Sequence, residues 1–414
     1  MIPHILQFVF SKPFHNYSAS FLFDACVNFS LKEIIQDRDF EIRNALSFMQ
    51  TVLFCSNMTD FLIIGSGIIG CWTAMKAAEK GYSVAVCEKE KIPGDGISGR
   101  NSGVLHSGVY YKNNSLKHIH CMRGYALTLE FAEKYKIPYL ISGKIITSGK
   151  KNEFSLEKEE EMEKLFENGK NNGVKNLSIL KNPGEKYAGV LGKTALDIPC
   201  TGIIDVPIYL KTLIRLCEEK GVIFLKDRKF SHNDGISCLT DSRSAKEQVD
   251  SGIIINAAGL YSDMIAQEFG LSEYSIRPNK GEYFRFRKPL PYKKLIYPVP
   301  SKKSTALGVH YTFNMGDEAY AGPNSEWAEN KEDYKITADR KIYYQSVCNI
   351  LNCYSEEDLS PGYAGLRPRL FRNGGPLQDF VIIKHPKNVI HLLGIESPGL
   401  TSSPSIAEEV LNMI

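Results

Sequence analysis

The chain has 414 residues, a net charge of +3, 43% hydrophobic residues and 23% charged residues. That composition suits a globular protein long enough for two lobes, and the weak charge argues against a dedicated nucleic-acid binder, which would show a basic stripe. Its ten cysteines are scattered without a CxxC or Cys/His cluster, which argues against a zinc or iron–sulfur centre, so no metal is expected, and it fits a reducing compartment.

Residues 1–57 show no clear period. Only Lys12 precedes the apolar patch at 21–23, too little for a secretory signal. Asp24, Glu33, Asp37, Asp39 and Glu41 do not suit a mitochondrial presequence. The simplest reading is an over-extended gene with Met58 as the start; an accessory segment is the alternative. Apolar runs stay shorter than the roughly 18 residues of a membrane span, so no transmembrane helix is expected.

Residues 60–64 form a short apolar run, as a buried parallel strand does. Gly65-x-Gly67-x-x-Gly70 comes next, then a helical stretch at 71–80 closed by Gly81, then a second strand at 83–87 ending at Glu88. A lone GxGxxG is weak evidence. Strand, glycine turn, helix, strand and acid in this order predict a dinucleotide-binding unit. Gly65 allows the tight turn, Gly67 lets the backbone approach a pyrophosphate, and Gly70 allows close helix–strand packing. Ile68 and Ile69, within the turn, are candidate cofactor contacts, and the N–H groups and dipole of the helix that follows favour phosphate. Glu88, with Lys89 beside it, would meet the adenosine ribose.

The glycine turn alone does not choose between NAD and FAD; three later segments favour FAD. Residues 98–111, SGRNSGVLHSGVYY, lie where an extended flavin would continue, making Arg100, Asn101, Ser102 and Gly103 candidate contacts. The charged run at 157–164 is expected to be a solvated helix face. Residues 252–259, GIIINAAG, form an apolar strand ending in small residues, so Ala258 and Gly259 would lie under the dinucleotide. A strand at 388–393, a loop reading GIESPGLTSSPS and a closing helix at 406–413 end the chain. Gly394, Gly399, Leu400 and Thr401 would face the flavin pyrimidine, where a helix dipole stabilises the anion formed on reduction. An NAD dehydrogenase would leave this loop unexplained.

With these residues in view, the chain resembles the FAD-dependent oxidoreductases of the D-amino-acid-oxidase-like superfamily, and within it the L-2-hydroxyglutarate dehydrogenase/oxidase family. The resemblance rests on RNSGVLHSGVYY (100–111), TGIIDVP (201–207), NAAGLYSD (256–263), KGEYF (280–284), YPVP (297–300), LGVHYT (307–312) and AGLRP (364–368). It runs in order from about residue 58 to the end and is poorest at 150–195. Two departures bear on the substrate. The family's flavin loop, like NAPSPAATS, reads GIESPGLTS at 394–402, closer to glycerol-3-phosphate dehydrogenase-like members, and GIVDY becomes GIIDV at 202–206.

The resemblance implies an α/β fold with a Rossmann-like FAD domain at 58–140, 200–275 and 360–414, a parallel sheet covered by helices. A discontinuous α+β substrate domain with a mixed sheet would occupy 141–199 and 276–359, with strands expected at 281–287, 295–299, 306–313 and 318–321. It implies oxidation of a 2-hydroxy acid, L-2-hydroxyglutarate to 2-oxoglutarate, the hydroxyl proton going to a base and a hydride to flavin N5. His106 is the first candidate base and His310 the second, the latter alternatively a substrate ligand. Arg367 is the candidate for bidentate carboxylate binding. Lys280 would hold a second carboxylate, or else be a solvated lysine before a strand. Tyr283 and Tyr311 are pocket candidates subject to strand alternation, and Lys144 is a weaker one. The implied electron acceptor is oxygen or a quinone. The implied location is cytoplasmic, with peripheral contact at an inner membrane, or mitochondrial in a eukaryote. Two alternatives stay open: a superfamily oxidase of glycerol 3-phosphate or an amino acid, and a non-catalytic FAD-binding protein.

Overall fold

The computed structural model describes residues 59–150, 155–300, 307–386 and 388–414. The expectations for residues 1–57 fall outside that range.

β1 (Thr59–Ile64) is buried at every position but one, as a strand covered on both faces must be. It pairs in parallel with β2 (Val84–Cys87) on one side and with Ser251–Asn256 on the other. The full sheet has six strands, in the order Val381–His385, Val389–Leu393, Ser251–Asn256, β1, β2 and Ile223–Leu225. Only the edge strand Val381–His385 runs antiparallel. Between β1 and β2 lies α1 (Ile68–Glu79), which starts three residues before the expected 71 because the glycine turn itself opens the helix.

The C-terminal helix covers the same core. It was expected at 406–413 but spans Gly399–Asn412, with Pro404 inside. The small polar stretch that reads as a loop is instead buried helix, residues 399–407 being withdrawn from solvent throughout. The helix Leu116–Tyr135 crosses its first turn closely at Gly124, where a β-carbon would strike the Thr401 carbonyl. Beneath them, Trp72 packs on Phe131 and donates from its indole Nε1 to the buried Tyr209 hydroxyl at 2.7 Å. This gives both large side chains a satisfied polar end.

A second, mixed sheet of ten strands forms the other wall of the site. Its backbone is the long antiparallel pair Tyr274–Phe286 and Leu359–Arg372, with a register break between Glu282 and Phe284. Lys144–Thr147 lies further along, parallel to Leu295–Pro298, which in turn pairs with His310–Phe313. The stretch 360–372, expected in the FAD domain, therefore belongs to this sheet. Its partner strand holds it there over almost its whole length.

Candidate active site

The two sheets enclose a cavity of about 1660 Å³. Its floor comes from the carboxyl ends of the parallel strands, where open α/β sheets bind ligands. Gly65 and Gly67, Ile68 and Ile69, Glu88 and Lys89, and Ala258 and Gly259 all line it. Gly65 sits at φ +101°, and a β-carbon there would come 2.6 Å from the Ala257 carbonyl oxygen. Gly67 caps α1 with no side chain, and the first turn carries no acid, so the helix N-terminus faces the cavity with its positive end uncompensated. This cradle fits the diphosphate of a dinucleotide.

Glu88 faces the cavity but also closes the turn. Its Oε2 accepts from the Ser66 N–H (2.9 Å) and hydroxyl (2.7 Å), and its Oε1 accepts from the Glu90 N–H. Arg100, Asn101 and Ser102 line the next section, with the Arg100 guanidinium stacked 4.1 Å from the Tyr334 ring centroid. Gly399 and Leu400 line it from the opposite side.

Four of the expected cofactor contacts stand outside the cavity wall. Gly70 sits where α1 crosses β1, and a β-carbon there would collide with the Gly65 carbonyl. Gly103 and Gly394 are turn positions at φ +72° and +67°, facing Ile204 and Leu370. Thr401 is fully buried, and its hydroxyl accepts from the His106 N–H at 3.1 Å and donates to the Val104 carbonyl at 3.3 Å. It therefore supports the site from behind.

His106, His310, Tyr283 and Arg367 come together on the upper wall. His106 Nε2 lies 2.9 Å from Ser397 Oγ, while its Nδ1 is buried without a partner. Burial, reinforced by the neighbouring Lys144 and His310, drops its pKa to about 3, so the ring is neutral near pH 7. His310 stacks on Tyr297 at 3.6 Å between centroids, and its Nδ1–H donates to the Gly308 carbonyl at 2.9 Å. A carbonyl only accepts, so the proton sits on Nδ1 and Nε2 keeps a lone pair. Burial likewise brings this ring to about 3.

Arg367 donates to Asn279 Oδ1 at 2.8 Å and to the Asn324 carbonyl at 3.2 Å. Neutral acceptors orient it, and among the described residues no carboxylate pairs with it directly, Glu396 acting on it only electrostatically. Lys117 and Arg369 differ, for both reach Glu396 Oε1 at 2.8 Å on the same wall.

Two substrate candidates lie elsewhere, and strand alternation is the reason. Along Tyr274–Phe286, Gly281 and Tyr283 face the cavity, which turns Lys280 and Glu282 to the far side. There the Lys280 ammonium meets Asp333 at 3.0 Å and Glu282 at 3.4 Å. On the next strands His310 faces the cavity, so its neighbour Tyr311 packs in the core and accepts from the Leu290 N–H. Sequence reasoning passed over Tyr110, Tyr297 and Ser397, although all three fall within the motifs that carry the family resemblance or the flavin loop. A polar side chain opposite a histidine from a distant loop has no local signal.

Comparison with known proteins agrees with this geometry. The DAO family model, described as FAD dependent oxidoreductase, matches residues 60–413. L-2-hydroxyglutarate dehydrogenase of Indibacter alkaliphilus is 31% identical over 395 residues, covering 84% of this chain and 97% of that protein. The human mitochondrial L-2-hydroxyglutarate dehydrogenase is 31% identical over 409 residues, covering 84% and 87%. Among solved structures, the dithionite-reduced L-α-glycerophosphate oxidase of Mycoplasma pneumoniae with FAD bound superposes with a TM-score of 0.75 at 22% identity, covering 86% of this chain and 94% of that one. Glycine oxidase of Geobacillus kaustophilus gives 0.70 at 18% identity, with the same coverage.

Proposed function

The chain belongs to the DAO family of FAD-dependent oxidoreductases, and from that membership we propose that it oxidises L-2-hydroxyglutarate to 2-oxoglutarate. The observation that carries the reading is one wall of the cavity. A neutral histidine and an arginine with no ion-paired carboxylate share it. These are the two groups a 2-hydroxy acid requires, a base for the hydroxyl and a cation for the carboxylate.

FAD supplies the acceptor for the hydride that leaves the carbinol carbon. The chain's own residues do the rest. Arg367 binds the C1 carboxylate, its guanidinium already aimed by Asn279 and Asn324. His106 takes the hydroxyl proton at Nε2, the nitrogen beside Ser397 at the cavity edge, with its own proton on the buried Nδ1 in that tautomer. His310 offers its Nε2 lone pair to the same hydroxyl or holds the substrate from the far side. Tyr283, Tyr297 and Tyr110 line the same wall. The final electron acceptor in this reading is oxygen or a quinone, the latter at an inner membrane surface. Among the described residues no helix is long and apolar enough to cross a membrane.

The test is anaerobic. The flavin-loaded protein is mixed with L-2-hydroxyglutarate, D-2-hydroxyglutarate or glycerol 3-phosphate while the oxidised flavin band is followed. Bleaching by the L-acid alone is expected. Bleaching by glycerol 3-phosphate instead would transfer the site to that substrate.

A further inference from the structure

Three lysines are buried among the described residues: Lys144, Lys280 and Lys294. Lys280 reaches Asp333 and Glu282, and Lys294 reaches Asp197 at 2.8 Å. Lys144 is 0% exposed, and its ammonium nitrogen has no hydrogen-bond partner. An unpaired buried cation is costly, and structures avoid it unless something else supplies the counter-charge.

Lys144 is not itself on the cavity wall; it lies directly behind two rings that are. Lys144 Nζ lies 4.5 Å from the Tyr110 ring centroid and 4.7 Å from that of Tyr297, and both rings line the cavity. The Tyr110 hydroxyl is also buried without a partner. The titratable groups facing Lys144 are His106, His310, Tyr110, Tyr297, Cys121 and Cys200. Burial leaves the histidines unprotonated and holds the thiols and phenols above their ordinary range, so none is an anion near neutral pH. His310 and Arg367 line the same cavity as Tyr110 and Tyr297, the two rings against which Lys144 lies.

We propose that Lys144 is a specificity-determining residue, the buried counter-charge, together with the Tyr110 hydroxyl, for a second carboxylate of the substrate. Two cations without carboxylate partners then match a dianion, one carboxylate at Arg367 and the remote one at Lys144. Lys280, the residue sequence reasoning assigned to this task, is already neutralised. This assignment rests on the L-2-hydroxyglutarate reading and names the residue that would hold its second carboxylate.

The experiment measures binding, so it does not depend on turnover. Flavin-loaded wild type and Lys144→Met are titrated with glutarate and with pentanoate, which has the same chain length and one carboxylate, following the perturbed flavin spectrum. Wild type is expected to prefer glutarate. Lys144→Met is expected to lose roughly thirtyfold or more in glutarate affinity, as when one partner of a buried charge pair is removed, with pentanoate unchanged. Equal loss for both acids, or an unchanged preference, overturns the proposal. A wild-type measurement covers the case in which the variant fails to hold flavin. Burial brings Lys144 to about 7, so glutarate binding should take up a proton and weaken as pH rises from 6 to 9. A flat profile overturns the proposal. Lys144-dependent glutarate binding without reduction by L-2-hydroxyglutarate would uphold this subsite and sink the substrate assignment; reduction by the L-acid with the preference intact in Lys144→Met would do the reverse.

Discussion

His106 Nε2 and Ser397 Oγ meet at 2.9 Å although 291 residues separate them in the chain. The base candidate comes from the segment after the glycine turn, and its orienting partner comes from the loop before the last helix. Replacing His106 by Ala should leave the flavin spectrum intact and slow anaerobic reduction by roughly 100- to 10,000-fold, the range for a positioned general base. Ser397→Ala should cost less and should alter the pH profile of the reduction rate, because the tautomer is no longer held. A fast, flavin-loaded His106→Ala enzyme would remove the base from this position.

Arg367 is oriented by two neutral acceptors, a geometry that suits a planar fork and not a point charge. Arg367→Lys should retain FAD and raise KM by about ten- to a hundredfold, with a smaller effect on kcat. Steady-state kinetics decide it, and an unchanged KM would take the carboxylate elsewhere.

Gly70 has no free volume, since a β-carbon would run into the Gly65 carbonyl. Gly70→Ala must push α1 away from β1, which costs about 1–3 kcal/mol and widens the phosphate cradle. A lower melting temperature and a purified protein depleted of flavin are expected, read from thermal unfolding and the ratio of flavin to protein absorbance.

Acid should unfold the protein early. His106 and His310 titrate at about 3 and His391 at about 4, against roughly 6.5 in an unfolded chain. Below about 6.5 the unfolded state binds protons that the folded state refuses. Stability is therefore full above that value and falls as pH drops towards 4, by up to about 1.4 kcal/mol per pH unit for each ring. Melting temperatures between pH 7 and 4 test this. His391→Gln, remote from the cavity wall, should flatten the slope without slowing flavin reduction.

The FAD half of the molecule was readable because its signals are local. A strand, three glycines, a helix and an acid fall within thirty residues, and each has a backbone reason to be there. The substrate half was not, because alternation decides it. Lys280 and Tyr283, or His310 and Tyr311, differ only in which face of one strand they occupy, and a sequence does not number the faces. The last helix misled for a different cause. Small hydroxyl residues and a proline read as loop in isolation, yet here they form a buried helix that could approach Gly124 only because they are small.

The arrangement of the strands also constrains synthesis. The central strand Thr59–Ile64 leaves the ribosome early, but its partner Ser251–Asn256 comes far later, and Val389–Leu393 and the helix Gly399–Asn412 later still. A nascent chain shorter than this lacks Ser397 and the wall around Leu400. Flavin capture is thus tied to synthesis past the last helix, and any chain interrupted before residue 400 should emerge colourless.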